Sequence, residues 1–101
     1  MDLDDVAAHA ESLTGVKRKG HPGRVAWYVD NRLVARQEDE RFLLVRSDFD
    51  AREQLVADHP GTFSVAPPLE AHMKVLADLE LGDADAIRGA ITAAWELQRR
   101  S

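Results

Sequence analysis

Between Arg24 and Arg46 the apolar residues fall in three successive runs separated only by short polar turns, the first two alternating at every second position and the third a continuous apolar run flanked by charges. Val25, Trp27 and Val29 alternate with Arg24, Ala26 and Tyr28; Leu33 and Ala35 alternate with Arg32, Val34 and Arg36; Arg41-Phe42-Leu43-Leu44-Val45-Arg46 follows. Period-two alternation marks a strand with one buried face, and connections this short join antiparallel neighbours only. Asp30-Asn31 serves as a two-residue hairpin turn, because Asn tolerates the positive φ that such a turn requires. Glu38-Asp39-Glu40 makes the second turn. A chain with this centre is committed to an antiparallel sheet.

The period changes on either side. Leu3, Val6, Ala7, Ala10 and Leu13 line one stripe of a helix, with Asp2 or Asp4 as cap and Thr14-Gly15 as its end. Val16 to Gly23 has two glycines, a proline and no apolar period, which predicts a loop. Ser47-Asp48-Phe49-Asp50 offers several caps, and Asp50 with Glu53 resembles a capping box, for a short second helix that carries Leu55 and Val56 and stops before Pro60-Gly61. Thr62 to Val65 reads as a strand, and Pro67-Pro68 predicts an extended connection. In the next strand, His72 to Leu79, Met73, Val75, Ala77 and Leu79 share one side. Asp83 caps a last helix whose stripe is Ile87, Ala90, Ile91, Ala94 and Trp95. Gly89 in that helix costs about 1 kcal/mol relative to alanine and is expected to permit close approach to the sheet. Arg99 and Arg100 are expected to complement the helix dipole. The fold class is therefore α+β: a two-layer, antiparallel five-stranded sheet with helices on one face and element order α-β-β-β-α-β-β-α. Residues 1–101 form a single domain, and the other sheet face is free to meet a partner.

Cysteine is absent, which excludes disulfides, thiolate metal sites and a cysteine nucleophile and favours a reducing compartment. Met1-Asp2-Leu3-Asp4-Asp5 is acidic where an export signal is basic and then apolar, so a cytoplasmic location is expected. No stretch reaches the roughly 18 consecutive apolar residues of a membrane span, so no membrane role is expected. The net charge of −5 argues against a generic nucleic-acid binder. Its distribution is uneven, however. Residues 16–46 hold Lys17, Arg18, Lys19, Arg24, Arg32, Arg36, Arg41 and Arg46 against Asp30, Glu38, Asp39 and Glu40, a local charge of +4 beside −9 for the remainder.

The ordered segments Leu13-Thr14-Gly15-Val16, Gly20-His21-Pro22, Glu53-Gln54-Leu55, His59-Pro60-Gly61-Thr62-Phe63, Val75-Leu76-Ala77-Asp78-Leu79 and Ala94-Trp95-Glu96-Leu97 resemble the MmcQ/YjbR family across the whole chain. The resemblance implies an α-β(3)-α-β(2)-α fold like that of secretion chaperones, and DNA binding through a double-wing use of strands. Gly23-Arg24 departs from the pattern, standing where relatives often carry an aromatic residue.

The candidate interface is Lys17, Arg18, Lys19, His21, Arg24, Tyr28, Arg32 and Arg36. Arg24, Arg32 and Arg36 share the outward parity of the hairpin, and arginine fits phosphate oxygens bidentately. Tyr28 lies on the same side and could stack on a base. The alternative is a solvated face whose charges protect a sheet edge. Trp27, Trp95, Phe42 and Phe63 are assigned to the core. His9, His21, His59 and His72 have neither metal-ligand spacing nor a nucleophile partner, so no metal, no cofactor and no catalytic residue are expected, and the chain is read as a non-enzyme. The expected partner is DNA, bound weakly and in a salt-sensitive way. A protein–protein module that self-associates through the open face, burying Tyr28 with Leu43 or Val45, is the rival reading.

Overall fold

A computed structural model describes residues 1–99; Arg100, assigned to the last helix terminus, lies outside the described residues. Helix α1 (Leu3–Ser12) starts at Asp2, whose carboxylate accepts the Asp5 amide while Asp5 accepts that of Asp2, a complete capping box. Strands β1 (Lys17–Lys19), β2 (Ala26–Val29), β3 (Arg32–Gln37) and β4 (Phe42–Arg46) follow. Then come α2 (Phe49–Asp58), β5 (Phe63–Ser64), a single 3₁₀ turn at Pro67–Leu69, β6 (Lys74–Asp78) and α3 (Ala84–Gln98). The sheet is antiparallel throughout, in the order β1-β2-β3-β4-β6-β5.

The expected α+β architecture is present with one strand more than expected. Lys17–Lys19, expected as loop, pairs with Ala26–Tyr28 as an edge strand. Three consecutive exposed cations carry no apolar period, so only backbone pairing reveals the strand. The β1–β2 connection is tight. Gly20 sits at φ +91, where a side chain would collide with the Arg24 carbonyl, and the Arg24 amide donates to the His21 carbonyl at 2.9 Å.

Asp30 and Asn31 both adopt positive φ, 51° and 63°, as the hairpin turn requires. Beyond that turn the pairing is irregular: Tyr28 faces Leu33 but Trp27 faces Ala35, so Val34 is the extra residue of a β-bulge. Val34 and Ala35 both enter the core as a result, and the outward parity read from the sequence does not continue through β3.

One core unites the inner sheet face with the helices. Trp27, Ala35, Leu43, Val45, Phe63, Val75 and Ala77 pack against Val6 and Ala10 of α1 and Ile87, Ala90, Ile91 and Ala94 of α3. Burying each large side chain stabilises by roughly 1.5–3 kcal/mol. Four local expectations need correction. Asp48, not Asp50, caps α2, because its carboxylate reaches the Ala51 amide at 2.8 Å. Pro67-Pro68 opens a 3₁₀ turn rather than an extended link, since proline's fixed φ also suits a first helical turn. Met73 precedes β6 and is exposed. Gly89 approaches nothing: a side-chain carbon there would meet open space.

Candidate nucleic-acid interface

Cross-strand partners point to the same face of a sheet, so the register sorts every strand residue. Trp27, Ala35, Val45 and Val75 face the helices. The residues between them face away, in rows that run across the strands. One row is Lys19, Ala26, Arg36, Leu44 and Leu76, and the next holds Lys17, Tyr28 and Leu33 on one flank with Arg46 and Lys74 on the other. Phe42 and Asp78 make a third. Ala26 and Leu44 are buried yet lie outside the helix-side core.

The expected set divides on this register. Lys17, Lys19, Tyr28 and Arg36 come together on the open face. Arg18 turns the other way, because its partner is Trp27, and its guanidinium is held by Glu11 of α1 at 2.9 Å. The indole Nε1 of Trp27 donates to the same carboxylate at 3.0 Å. Those two bonds, Arg18 first, lower the Glu11 pKa, and Arg18 is a structural cation spent on the fold. Arg32 pairs with Val29 at the hairpin end and so shares the helix side. His21 and Arg24 sit in the β1–β2 turn; among the described residues the His21 ring bonds through Nδ1 to the adjoining Pro22 carbonyl, 3.3 Å. The shared parity of Arg24, Arg32 and Arg36 is thus overturned by the bulge and by the start of β2 at Ala26.

Two cations missed in the sequence complete the face. Arg46 and Lys74 are direct partners on β4 and β6. Simple alternation from Leu43 and Val45 would have identified Arg46, had β4 been assigned faces rather than read as a wholly buried run. Phe42 also moves: expected in the core, it is half-buried on the open face.

The electrostatics of this face are uneven. Lys17, Lys19 and Lys74 make no ion pair among the described residues, and Arg46 donates only to the Ser47 and Met73 carbonyls, at 3.1 and 2.9 Å. Arg36 pairs with Glu38 at 3.1 Å, while its Nε is shielded from solvent with no hydrogen-bond partner among the described residues. Lys19 Nζ lies 5.1 Å from the Tyr28 ring centroid, within cation–π range. At the other end Arg41 grips Asp78 through Nε and Nη2, at 3.1 and 2.7 Å. That guanidinium, helped by the Leu81 and Glu80 amides and opposed by burial, lowers the Asp78 pKa from 3.8 to about 2.

A concavity of about 690 Å³ lies between α2 and α3, with Leu55, Ala90, Ala94 and Leu97 on its walls. Asp48, Asp58 and Glu96 outnumber the one arginine that reaches its wall among the described residues, Arg46, and make it unfavourable to anions. His9 bonds Thr92 across α1 and α3 at 2.8 Å, an interhelical brace that spacing alone did not reveal. Among the described residues, no three His, Cys, Asp or Glu side chains converge as metal ligands, and no helix is long and apolar enough to cross a membrane.

This arrangement of helices against one side of an antiparallel sheet recurs in a solved structure. The Deinococcus radiodurans protein DR2400, which carries a DUF419 domain, superposes with a TM-score of 0.77 over 95% of this chain and 77% of its own, at 18% identity. The fold matches that of a DUF419 domain. DUF419 is the MmcQ/YjbR-like family, so the expected fold and the observed one agree. At this identity the likeness concerns the fold alone. No family model matches the sequence, and no curated protein matches it.

Proposed function

We propose that this chain is a non-catalytic binding domain that engages nucleic acid through its open sheet face. One observation carries the reading: the register gathers Lys17, Lys19, Arg46 and Lys74, none of them in an ion pair among the described residues, around Tyr28 on the side that no helix covers. Phosphate oxygens supply the complementary charge, and each neutralised phosphate releases condensed counterions. The acidic remainder of the chain supports the reading, because net negative charge outside residues 16–46 helps to orient encounter with a polyanion.

Anisotropy titration of labelled DNA tests it. With four phosphate contacts, log K should fall against log salt with a slope of about −3 to −4. The triple charge reversal Lys17→Glu, Lys19→Glu, Lys74→Glu should abolish binding, whereas Arg24→Glu with Arg32→Glu should leave most of it. Absence of binding at about 50 mM salt, or equal affinity of the two variants, would refute the proposal.

A second reading, a protein–protein module, draws on the half-buried apolar residues Leu33 and Leu76 of the same face. Leu43 and Val45 cannot contribute to it, being fully buried on the helix side. A stable dimer by mass that protects Tyr28 and excludes DNA would favour this reading.

A further inference from the structure

The open face is a broad surface, and its shape bears on which nucleic acid it takes. Arg46 and Lys74 sit on β4 and β6, and Lys17 on β1, so the cations extend over five adjacent strands. At about 4.8 Å per strand they span roughly 19 Å. A duplex major groove is about 12 Å wide and admits a helix or a two-stranded ribbon, not a sheet of this width. If β1 and β2 entered a groove as a ribbon, the cations on β4 and β6 would be left behind.

The face also carries flat groups in a defined order. Tyr28 on β2, Arg36 on β3 and Phe42 on β4 are each displaced by one strand and one same-face position from the last. Diagonal neighbours of this kind lie about 7–8 Å apart. Tyr28 and Phe42 are half-exposed and belong to no part of the helix-side core. Between them, the Arg36 guanidinium is planar, its side chain 32% exposed, and is held in place by Glu38. Aromatic rings and arginine planes are the surfaces on which unpaired bases stack, and they are of no use to a duplex whose bases are stacked on one another.

We infer that the face takes single-stranded nucleic acid, with bases stacking along the Tyr28–Arg36–Phe42 diagonal and phosphates meeting Lys17 and Lys19 on one flank and Arg46 and Lys74 on the other. This inference rests on the nucleic-acid reading above and narrows it to a substrate class. Lys19, exposed and held to Tyr28 only by a cation–π contact, is free to pass to a phosphate as a base covers the ring. A site of this length suits the lower end of the roughly 4–16 nucleotides that single-strand binding folds occupy.

The test compares a labelled mixed-sequence DNA oligonucleotide with its own duplex at the same low salt. The single strand should bind at least about tenfold more tightly. Tyr28→Ala and Phe42→Leu should each weaken single-strand binding about five- to a hundredfold with little effect on the duplex, and Tyr28→Phe and Phe42→Tyr should restore it. Thermal denaturation of each variant checks that the fold persists. Equal affinity for the two forms, or loss on Phe42→Leu that Phe42→Tyr does not recover, would overturn the single-strand inference while leaving nucleic-acid binding in place. Binding of neither form would remove both. A dimer that shields Tyr28 and Phe42 and binds no DNA would give the face to a second copy instead.

Discussion

At the scale of single residues, charges that look equivalent in the sequence have different fates. Arg18 lies between Lys17 and Lys19, yet strand alternation sends it to the helix side, where it shares Glu11 with Trp27. Glu11→Ala should therefore cost about 1–3 kcal/mol, since it strands an indole N–H at the edge of the core, and chemical denaturation followed by tryptophan fluorescence will measure it. Asp78 makes a sharper case. Its pKa is lowered in the folded protein, to about 2 from 3.8, so its contribution is complete above about pH 4 and disappears as pH falls through 2. Asp78→Asn should destabilise by about 1.5–3 kcal/mol at pH 7, and the difference from wild type should shrink as urea titrations are repeated at decreasing pH. Gly89 works in the opposite sense: with open space beside it, Gly89→Ala should raise stability by about 0.5–1 kcal/mol.

At the scale of elements, what the sequence disclosed depended on whether apolar residues carried the signal. Helices α1 and α3 and the Asp30-Asn31 hairpin were legible because their stripes and turn chemistry are written in side chains that contact the core. Strand β1 was not, because an edge strand of three exposed cations is defined by backbone pairing alone. The bulge was hidden for another reason. Leu33, Val34 and Ala35 are all apolar, so a strict period of two and a one-residue insertion look alike in that run, and the misassigned parity passed to Arg32. Arg36 kept its outward position because the insertion restored the count. The β1–β2 turn offers a check on this account. Gly20→Ala should collide with the Arg24 carbonyl and loosen β1, raising amide exchange at Lys17–Lys19 and Ala26–Tyr28 while leaving β4 and β6 protected.

At the scale of the whole molecule, charge is sorted by layer. The helices and their connections carry most of the acidic groups, including Asp48, Asp58 and Glu96 around the α2–α3 cleft, while uncompensated cations gather on the exposed side of the sheet. A net charge of −5 therefore coexists with a cationic face. The same division predicts where a polyanion cannot go. The cleft offers a concavity of about 690 Å³, but its rim is of the wrong sign. The claim that the open sheet face is the binding surface is tested most directly by amide chemical-shift mapping during titration with a short DNA single strand. The account predicts shifts at Lys17–Lys19, Tyr28, Phe42–Arg46 and Lys74. Shifts centred on the α2–α3 cleft, or confined to the turn from Gly20 to Arg24, would contradict it.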